Sequence, residues 1–348
     1  MSVAITSRPP RRTALLIGIN YRGTADELNG CYNDVVNVAT YLRTVLGYAP
    51  AAITMLTDGN RGSAFPASVA PTRQNILAGL TALVAGMAPG DEAVFHYSGH
   101  GTLVRDTNGD ELTGLDSCLC PLDYNAPASA GGGIVTDDEI RALLVNRVPR
   151  GARLYVILDC CHNGTGCDMR YKYEDFSVLL RPPSARTAPL WRTQQKAFAN
   201  GKYAETAGEV YMISGCRDEQ TSADAYINNA FAGALTYAVF AILRANQASI
   251  RTYSWSALLR DVRYFMRTNK YDQVPQIMTG QLITPAAAVF PGLAAKRGVG
   301  GGGSLELGIG SVSGSRGVAV EAPNTTLFGF KPKPKSGANT RHTIQFLH

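Results

Sequence analysis

The sequence lacks the features that direct a chain to a membrane or out of the cell. Its 348 residues contain no window approaching the roughly 18 apolar residues of a membrane span. The beginning, MSVAITSRPPRR, has no apolar stretch long enough for a signal peptide. With 45% hydrophobic and 17% charged residues, the composition excludes collagen, a coiled coil and wholesale disorder. We therefore expect a soluble cytoplasmic protein with no membrane partner.

The cysteines lack the regular spacing of a disulfide framework. Their number is odd, and the chain is much longer than the small secreted domains that such frameworks stabilise. They stand at positions 31, 118, 120, 160, 161, 167 and 216. We expect reduced thiols, as in the cytoplasm.

An excess of positive charge is missing between the two ends of the chain. The formal charge of +6 arises from residues 1–12, with three Arg and no acid, and residues 296–348, with seven Lys or Arg against two Glu. Residues 13–295 contain 23 basic and 25 acidic residues. Nucleic acid is therefore not the expected partner of the folded part, although binding by the basic ends is an alternative.

Short runs rich in Val, Ile and Leu alternate with segments of helical period. This pattern predicts an α/β fold with a mostly parallel central β-sheet flanked by helices. The predicted strands are 13–20, 51–58, 92–98, 153–159 and 209–215. The predicted helices are 31–47, 72–87, 137–145, 231–244 and 254–267.

Two stretches break this alternation. Residues 170–204 are rich in Arg and Lys and have little periodicity, so we predict an exposed linker. Residues 296–348 contain the glycine run 300–303 and KPKPK, which predicts a mobile tail. Residues 1–12 form a short basic extension, and a single domain is predicted for 13–295, which the linker divides into 13–169 and 205–295.

The residues that follow two predicted strands suggest nucleophilic chemistry. HYSGHGT places His100 after the strand 92–98, and DCCHNGTG places Cys161 after the strand 153–159. The carboxyl ends of parallel strands meet at one edge of a sheet, where ligands bind. A histidine can activate a thiol for attack on an acyl carbon, and the backbone N–H groups of Gly101 or of the Cys161 loop can hold the oxyanion. The sequence therefore predicts an acyl-transfer site at this edge.

Two other interpretations of these residues are open at this point. A free Cys often packs as a small hydrophobe, and His100 can be an ordinary loop histidine. Zinc is the other, but adjacent ligands fit a tetrahedral site poorly and no CxxC pair is present. Its ligands would be Cys160, Cys161, His162 and Cys167.

Further blocks stand in a fixed order along the chain: ALLIGINY, LNGCYNDV, DSCLCPLDY, IVTDDEI and VYMISGCRDEQTSAD. Together with HYSGHGT and DCCH, this collinear set resembles the metacaspases, which belong to the caspase-like clan of cysteine peptidases. The resemblance covers roughly residues 13–290 and implies a caspase-like (caspase-hemoglobinase) fold. The layout is similar to the type I group, without a long Pro-rich prodomain. The chain also has Asn163 where Ser is usual, and a Gly-rich tail.

The resemblance implies roles for the matching residues. Cys161 matches the nucleophile and His100 the general base and acid. The pocket for the substrate residue before the scissile bond matches Cys31, Asp34, Ser98 and Asp159, and the cleft is expected to be shaped by Asp218, Gln220 and Ser222. Two carboxylates suit the family's preference for Arg or Lys. As an alternative, Asp34 is a first-turn helix acid and Asp159 a loop cap.

The resemblance also implies a calcium site. The matching acids are Asp116, Asp137, Asp138 and Asp168. Oxygen ligands from separate loops suit a hard cation such as Ca²⁺, whereas the alternative for the two adjacent acids is that they stabilise a helix N-terminus. We therefore expect activation by calcium.

The predicted linker offers Arg and Lys to an enzyme that would cleave after such residues. The candidate sites of self-processing, as in a zymogen, are Arg170, Lys172 and Arg186. The full prediction is a calcium-dependent, monomeric cysteine endopeptidase acting on protein or peptide substrates. The alternative is a caspase-like scaffold with weak or no activity that acts through partner binding.

Overall fold

The structure of the protein is a computed structural model. It describes residues 8–59, 69–107, 114–160, 167–175, 191–195, 204–215, 224–227, 230–284 and 286–290. All of them belong to one of the two units into which the chain divides, Met1–Pro291 with Ile344–His348, whereas the other, Gly292–Thr343, lies outside the described residues. The predicted tail 296–348 lies outside them as well.

Thirteen strands and five α-helices are present in the described residues. The strands are β1 (Arg12–Gly18), β2 (Ile53–Thr57), β3 (Glu92–Ser98), β4 (Gly101–Arg105), β5 (Leu115–Leu119), β6 (Val135–Thr136), β7 (Arg153–Asp159), β8 (Tyr171–Asp175), β9 (Trp191–Gln195), β10 (Glu209–Ser214), β11 (Asp224–Ile227), β12 (Ala230–Gly233) and β13 (Gln276–Thr279). The helices are α1 (Cys31–Thr44), α2 (Arg73–Val84), α3 (Asp137–Leu143), α4 (Ala234–Ala245) and α5 (Trp255–Thr268). The predicted α/β class is confirmed, and β3 and β7 have the predicted bounds.

Eight of these strands form the central sheet, in the order β2-β1-β3-β7-β10-β13-β8-β9. The first five run parallel to one another, and the last three pair antiparallel. A three-stranded antiparallel sheet, β4-β5-β6, and the hairpin β11-β12 complete the strands of the described part. The carboxyl ends of the five parallel strands therefore share one edge.

Helices cover both faces of the sheet, which explains why its parallel strands are largely apolar. On one face, Leu15, Phe95 and Leu158 are buried in a single cluster with Ile76 of α2 and Ile140 of α3. Burying a side chain of this kind contributes about 1.5–3 kcal/mol. This cluster joins the parallel strands to α2 and α3.

The opposite face of the sheet packs against α4 and α5. Trp255, the first residue of α5, stacks on Tyr211 of β10 with ring centroids 5.0 Å apart. His96 of β3 is fully buried and meets Thr236 of α4, with 3.0 Å between Nε2 and Oγ1. Elements from both predicted parts, 13–169 and 205–295, therefore pack in one fold.

The prediction of an exposed linker at 170–204 was wrong for the residues that form β8 and β9. β8 pairs with β13 on one side and β9 on the other, at the end of the central sheet. Tyr171 and Tyr173 are buried, whereas Lys172 between them is partly exposed. This alternation is that of a half-buried strand. The basic residues of the segment obscured the alternation.

Candidate active site

The site lies at the carboxyl edge of the parallel strands. Ser98 and Asp159, the last residues of β3 and β7, are paired across the sheet. His100 follows β3 by two residues, and the fully buried Cys160 follows β7 directly. The predicted residues Cys161, Arg186, Asp218, Gln220 and Ser222 lie outside the described residues.

The imidazole of His100 is held through one of its nitrogens. Its Nε2 lies 2.8 Å from the backbone carbonyl oxygen of Asp26, in the loop between β1 and α1. Because a carbonyl only accepts hydrogen bonds, Nε2 carries the proton of this contact. In the neutral ring, Nδ1 then carries the lone pair that can take up a proton. The contact therefore selects the tautomer of a potential base.

The backbone around His100 turns from one sheet into another. Gly101 begins β4 and pairs with Leu119 of β5. The carbonyl of His100 accepts a hydrogen bond from the N–H of Cys120, at 3.1 Å. Gly101 follows the imidazole along the chain, and its role as an oxyanion donor stays a prediction.

Asp34 of α1 is fully buried at the same edge. The hydroxyl of Ser98 donates to its Oδ2 at 2.7 Å. The backbone N–H of Gly233 lies 2.9 Å from Oδ2 and 3.1 Å from Oδ1. Cys31 is buried one helical turn before Asp34, and its N–H donates to the side chain of Asn20. Three of the predicted pocket residues are thus brought together.

Asp159 reaches the same point from β7. Its Oδ2 accepts the backbone N–H of Thr236 at 2.7 Å. A Cβ atom on Gly233 would lie 2.3 Å from this oxygen and 2.7 Å from Oδ2 of Asp34. The two carboxylates therefore converge on the amino end of α4, at a position that has no room for a side chain.

The hydrogen-bond donors named above carry no net charge. They are a hydroxyl and backbone amides, which stabilise an anion without neutralising it. The first turn of α4 adds the positive end of a helix dipole. Asp34 is fully buried and Asp159 is 4% exposed.

The four acids of the predicted calcium site lie in β5, at the beginning of α3 and in the segment between β7 and β8. Asp137 is the first residue of α3, and its two oxygens accept the N–H groups of Ser117 and Asp138, at 2.9 and 3.1 Å. Asp116 and Asp168 are buried, and the carbonyl of Asp168 accepts a hydrogen bond from Arg141. Within the described residues, no group of three or more His, Cys, Asp or Glu side chains is arranged to hold a metal.

Two buried thiols lie near the acids around α3, and their pKa values are raised. Burial raises the pKa of Cys118, and the charges of Asp137 and Asp116 raise it further. Burial also raises the pKa of Cys167, with further contributions from Asp168 and Asp137. Asp137 therefore lies close enough to act on both thiols. The arrangement brings the acids into one region, with two oxygens of Asp137 already committed to backbone amides.

The candidate self-cleavage residues have different surroundings. Arg170 immediately precedes β8 and is partly exposed. Lys172 lies within β8, opposite Met278 on one side and Gln194 on the other. A peptide bond in such a strand cannot enter a protease cleft unless the strand leaves the sheet.

Sequence reasoning missed four residues that shape this site: Tyr21, Asp26, Gly233 and Thr236. Each acts through a backbone group or through a contact between distant segments. Gly233 stands before a predictable helix, but nothing local in AFAGALTY indicates two carboxylates nearby. Tyr21 at the end of ALLIGINY has the appearance of a core aromatic.

The chain is similar to known proteins over most of its length. A family profile described as "Metacaspase, peptidase C14 domain" matches residues 12–170. Metacaspase-1 of Mycosarcoma maydis is 36% identical over 306 residues, which are 80% of this chain and 72% of that protein. Metacaspase-1 of Pyricularia oryzae is 35% identical, with coverage of 77% and 71%. Metacaspase-1 of Yarrowia lipolytica is 34% identical, and the alignment spans 61% of its length.

A solved structure shares the architecture. A protein from Geobacter sulfurreducens is 25% identical and aligns with a TM-score of 0.51, covering 80% of this chain and 96% of that one. Caspase-1 from Spodoptera frugiperda is 11% identical and aligns with a TM-score of 0.43, covering 77% and 86%. In the described part of the chain, no helix has the length and apolar character needed to cross a membrane.

Proposed function

This chain belongs to the metacaspase family of cysteine peptidases, and from that premise we propose that it cleaves peptide bonds after Arg or Lys with Cys161 and His100. The observation that carries the specificity is the convergence of Asp34 and Asp159 at Gly233, beside the ends of β3 and β7. A guanidinium or ammonium group complements this pair of negative charges. An Asp side chain in the same position would be repelled.

The proposed reaction uses His100 first as a base and then as an acid. Nδ1 takes the proton of the Cys161 thiol, and the thiolate attacks the carbonyl carbon of the substrate. The N–H of Gly101 is proposed to stabilise the oxyanion that forms. The imidazolium then gives its proton to the leaving amine as the C–N bond breaks. Water, deprotonated by the same nitrogen, hydrolyses the thioester and regenerates the thiol.

The contact with Asp26 supports this sequence of steps. With its Nε2 proton held by a backbone carbonyl 2.8 Å away, the ring exchanges protons at Nδ1 alone. A carbonyl dipole also stabilises the imidazolium that exists between the two transfers. The base thus retains one orientation throughout the cycle.

A peptide series tests the proposal. Peptides that differ only in Arg, Lys or Asp before the scissile bond are compared for kcat/KM, with the Cys161→Ala variant as the control. We expect turnover of the Arg and Lys peptides by the wild type alone. Preferred cleavage after Asp contradicts the specificity, and turnover by Cys161→Ala contradicts the assigned nucleophile.

Calcium dependence is a further part of the proposal. It is supported by the presence of Asp116, Asp137, Asp138 and Asp168 around one region, whose oxygen ligands suit Ca²⁺. In the described residues no three of these acids are arranged to hold a metal, so Ca²⁺ binding requires them to reorganise. Isothermal titration of Cys161→Ala with CaCl₂ tests this part, and an Asp168→Asn variant that binds as well as its parent contradicts it.

Self-processing in 170–204 is the last part of the proposal. Arg170 is the best placed of the candidates, since it precedes β8 rather than lying within it. Lys172 requires β8 to leave the sheet, and Arg186 lies outside the described residues. N-terminal sequencing of fragments from the wild type is expected to show a new end at residue 171. The same fragments from purified Cys161→Ala would exclude self-cleavage.

A further inference from the structure

Two buried tyrosines lie directly beneath the loop that carries His100. Tyr21 stands three residues after β1, and Tyr97 is the penultimate residue of β3. Both are fully buried, and their hydroxyl oxygens are 3.1 Å apart. The hydroxyl of Tyr21 also donates to the carbonyl of Cys120, at 2.5 Å. We call Tyr21 and Tyr97 the tyrosine pair.

The tyrosine pair contacts His100 on three sides. The N–H of His100 donates to the Tyr21 hydroxyl oxygen at 3.0 Å. The hydroxyl of Tyr97 lies 2.8 Å from the His100 carbonyl oxygen and donates to it. The rings of Tyr21 and His100 pack with centroids 4.7 Å apart. Both backbone groups of His100 and one face of its imidazole are therefore held by these two side chains.

The backbone adapts to make room for this arrangement. Tyr21 has φ of 50°, in the left-handed region, where a bulky aromatic residue is a genuine outlier. A Cβ atom on Gly99 would lie 2.8 Å from the Tyr97 hydroxyl and 3.1 Å from that of Tyr21. Glycine between Ser98 and His100 thus leaves the space that the tyrosine pair fills. Strained residues of this kind concentrate at functional sites.

The same cluster holds the acceptor on the other side of the imidazole. Tyr124 packs edge-on against Tyr21, with ring centroids 6.1 Å apart. Its hydroxyl donates to the carboxylate of Asp26, whose backbone carbonyl accepts the Nε2 proton of His100. Tyr21 is therefore in contact both with the base and with the residue that supports the acceptor of its second nitrogen.

The tyrosine pair remains protonated whenever the enzyme is folded and active. Burial raises the pKa of Tyr21 and of Tyr97 well above the usual value near 10. Their hydroxyls therefore act as neutral hydrogen-bond groups rather than as acids or bases. Their geometric effect on His100 is constant across the pH range in which a histidine titrates.

We propose that Tyr21 is a positioning residue for His100, which holds the imidazole in the orientation that the proton transfers require. The inference rests on the proposed function, because it concerns the base of that reaction. Replacement of Tyr21 by Phe removes the hydroxyl that accepts the N–H of His100, so the loop can shift. A displacement near 1 Å at a reacting group costs about 100-fold in rate.

The test compares Tyr21→Phe with Tyr41→Phe. Tyr41 of α1 is equally buried, and its hydroxyl makes no hydrogen bond with any described residue, so its removal is a matched control. We expect kcat for an arginyl peptide to fall about 10- to 100-fold in Tyr21→Phe, with KM unchanged within about twofold. Tyr41→Phe is expected to retain the wild-type kcat.

The outcomes separate this inference from the proposed function. Absence of arginyl-peptide turnover in the wild type contradicts the proposed function, whatever the variants do. An active wild type with a Tyr21→Phe variant of unchanged kcat overturns the positioning role, as does a loss that appears only in KM. Thermal unfolding of both variants identifies a folding defect. If Tyr21→Phe does not fold, Tyr97→Phe, which removes the hydroxyl that donates to the carbonyls of His100 and Cys120, must lower kcat by at least about fivefold, and an unchanged kcat there overturns the inference.

Discussion

The two sides of the candidate site are held in place by different parts of the chain. The His100 loop rests on Tyr21 and Tyr97, side chains from β3 and from the residues after the neighbouring β1. The pair Asp34 and Asp159 instead binds backbone amides at the start of α4, which belongs to the second half of the sequence. The proposed chemical step and the proposed choice of substrate therefore depend on different contacts, although Ser98 of β3 also donates to Asp34. Damage to one side should leave the other largely intact.

Replacement of His100 should produce the largest change. In His100→Ala no group remains to take the thiol proton or to protonate the leaving amine, so we expect kcat to fall by about 10²- to 10⁴-fold. Steady-state kinetics on an arginyl peptide measures it. Binding of a peptide inhibitor with Arg at the same position should change less than about threefold, because the pocket keeps its carboxylates. A loss of inhibitor binding as large as the loss of kcat would contradict the view that the two sides of the site depend on different contacts.

Gly233→Ala should damage the pocket instead. The added Cβ would lie 2.3 Å from Asp159 Oδ2, so α4 or the carboxylates must move apart. We expect kcat/KM for a peptide with Arg before the scissile bond to fall about 100-fold. For the same peptide with uncharged citrulline in place of Arg, kcat/KM should fall much less. The ratio of the two values is the measurement.

Gly208→Ala is the matched control for this variant. Its Cβ would lie 2.4 Å from a methyl group of Val148, next to the beginning of β10 and thus at the opposite edge of the sheet. Gly208→Ala should lower the melting temperature as Gly233→Ala does, but it should leave the ratio of kcat/KM for the arginyl and citrulline peptides unchanged. An equal loss of selectivity in both variants would show that general destabilisation is responsible.

The pocket side should also be sensitive to acid. Burial lowers the pKa of His96, which supports Thr236 of α4, to about 3. The unfolded chain binds this proton near pH 6.5, so the contribution to stability is complete above that pH and is lost as the pH falls toward 3. At pH 5 the free energy of unfolding should have fallen by about 2 kcal/mol more in the wild type than in His96→Gln. Denaturant titrations at pH 7 and 5 measure this difference, and parallel losses would contradict it.

Thr236→Val should have the smallest effect. The change removes the hydroxyl 3.0 Å from His96 Nε2 but keeps the backbone N–H that binds Asp159. We expect a loss of about 1 kcal/mol in the free energy of unfolding and a change of less than about threefold in kcat/KM. A larger loss of selectivity would mean that the side chain, and not the amide, supports the carboxylate.

The sequence predicts best the parts of the molecule with a local pattern. β3 and β7 begin and end where the apolar runs indicate, because strands buried on both faces require continuous apolar residues. β8 was missed because its alternation of Tyr with charged residues is short and lies in a basic segment. Such a strand gains its stability from pairing with β13, which no local pattern reports.

The candidate site divides in the same way. His100 follows one predictable strand by two residues and Asp159 ends another, so their position at one edge follows from the parallel order. Gly233 and Tyr21 act through close approach and backbone amides, which depend on how distant segments pack. The acids of the predicted calcium site share a region, but the two hydrogen bonds that Asp137 accepts from backbone N–H groups appear only in three dimensions.

The comparison of arginyl and citrullinyl peptides tests the central claim most directly, namely that Asp34 and Asp159 select a cationic substrate residue. The two peptides have nearly the same shape and differ in charge, so kcat/KM of the wild type isolates the electrostatic part of recognition. We predict a preference for Arg of about 100-fold or more, reduced at least tenfold in Asp159→Asn. Equal turnover of the two peptides by the wild type would contradict the account.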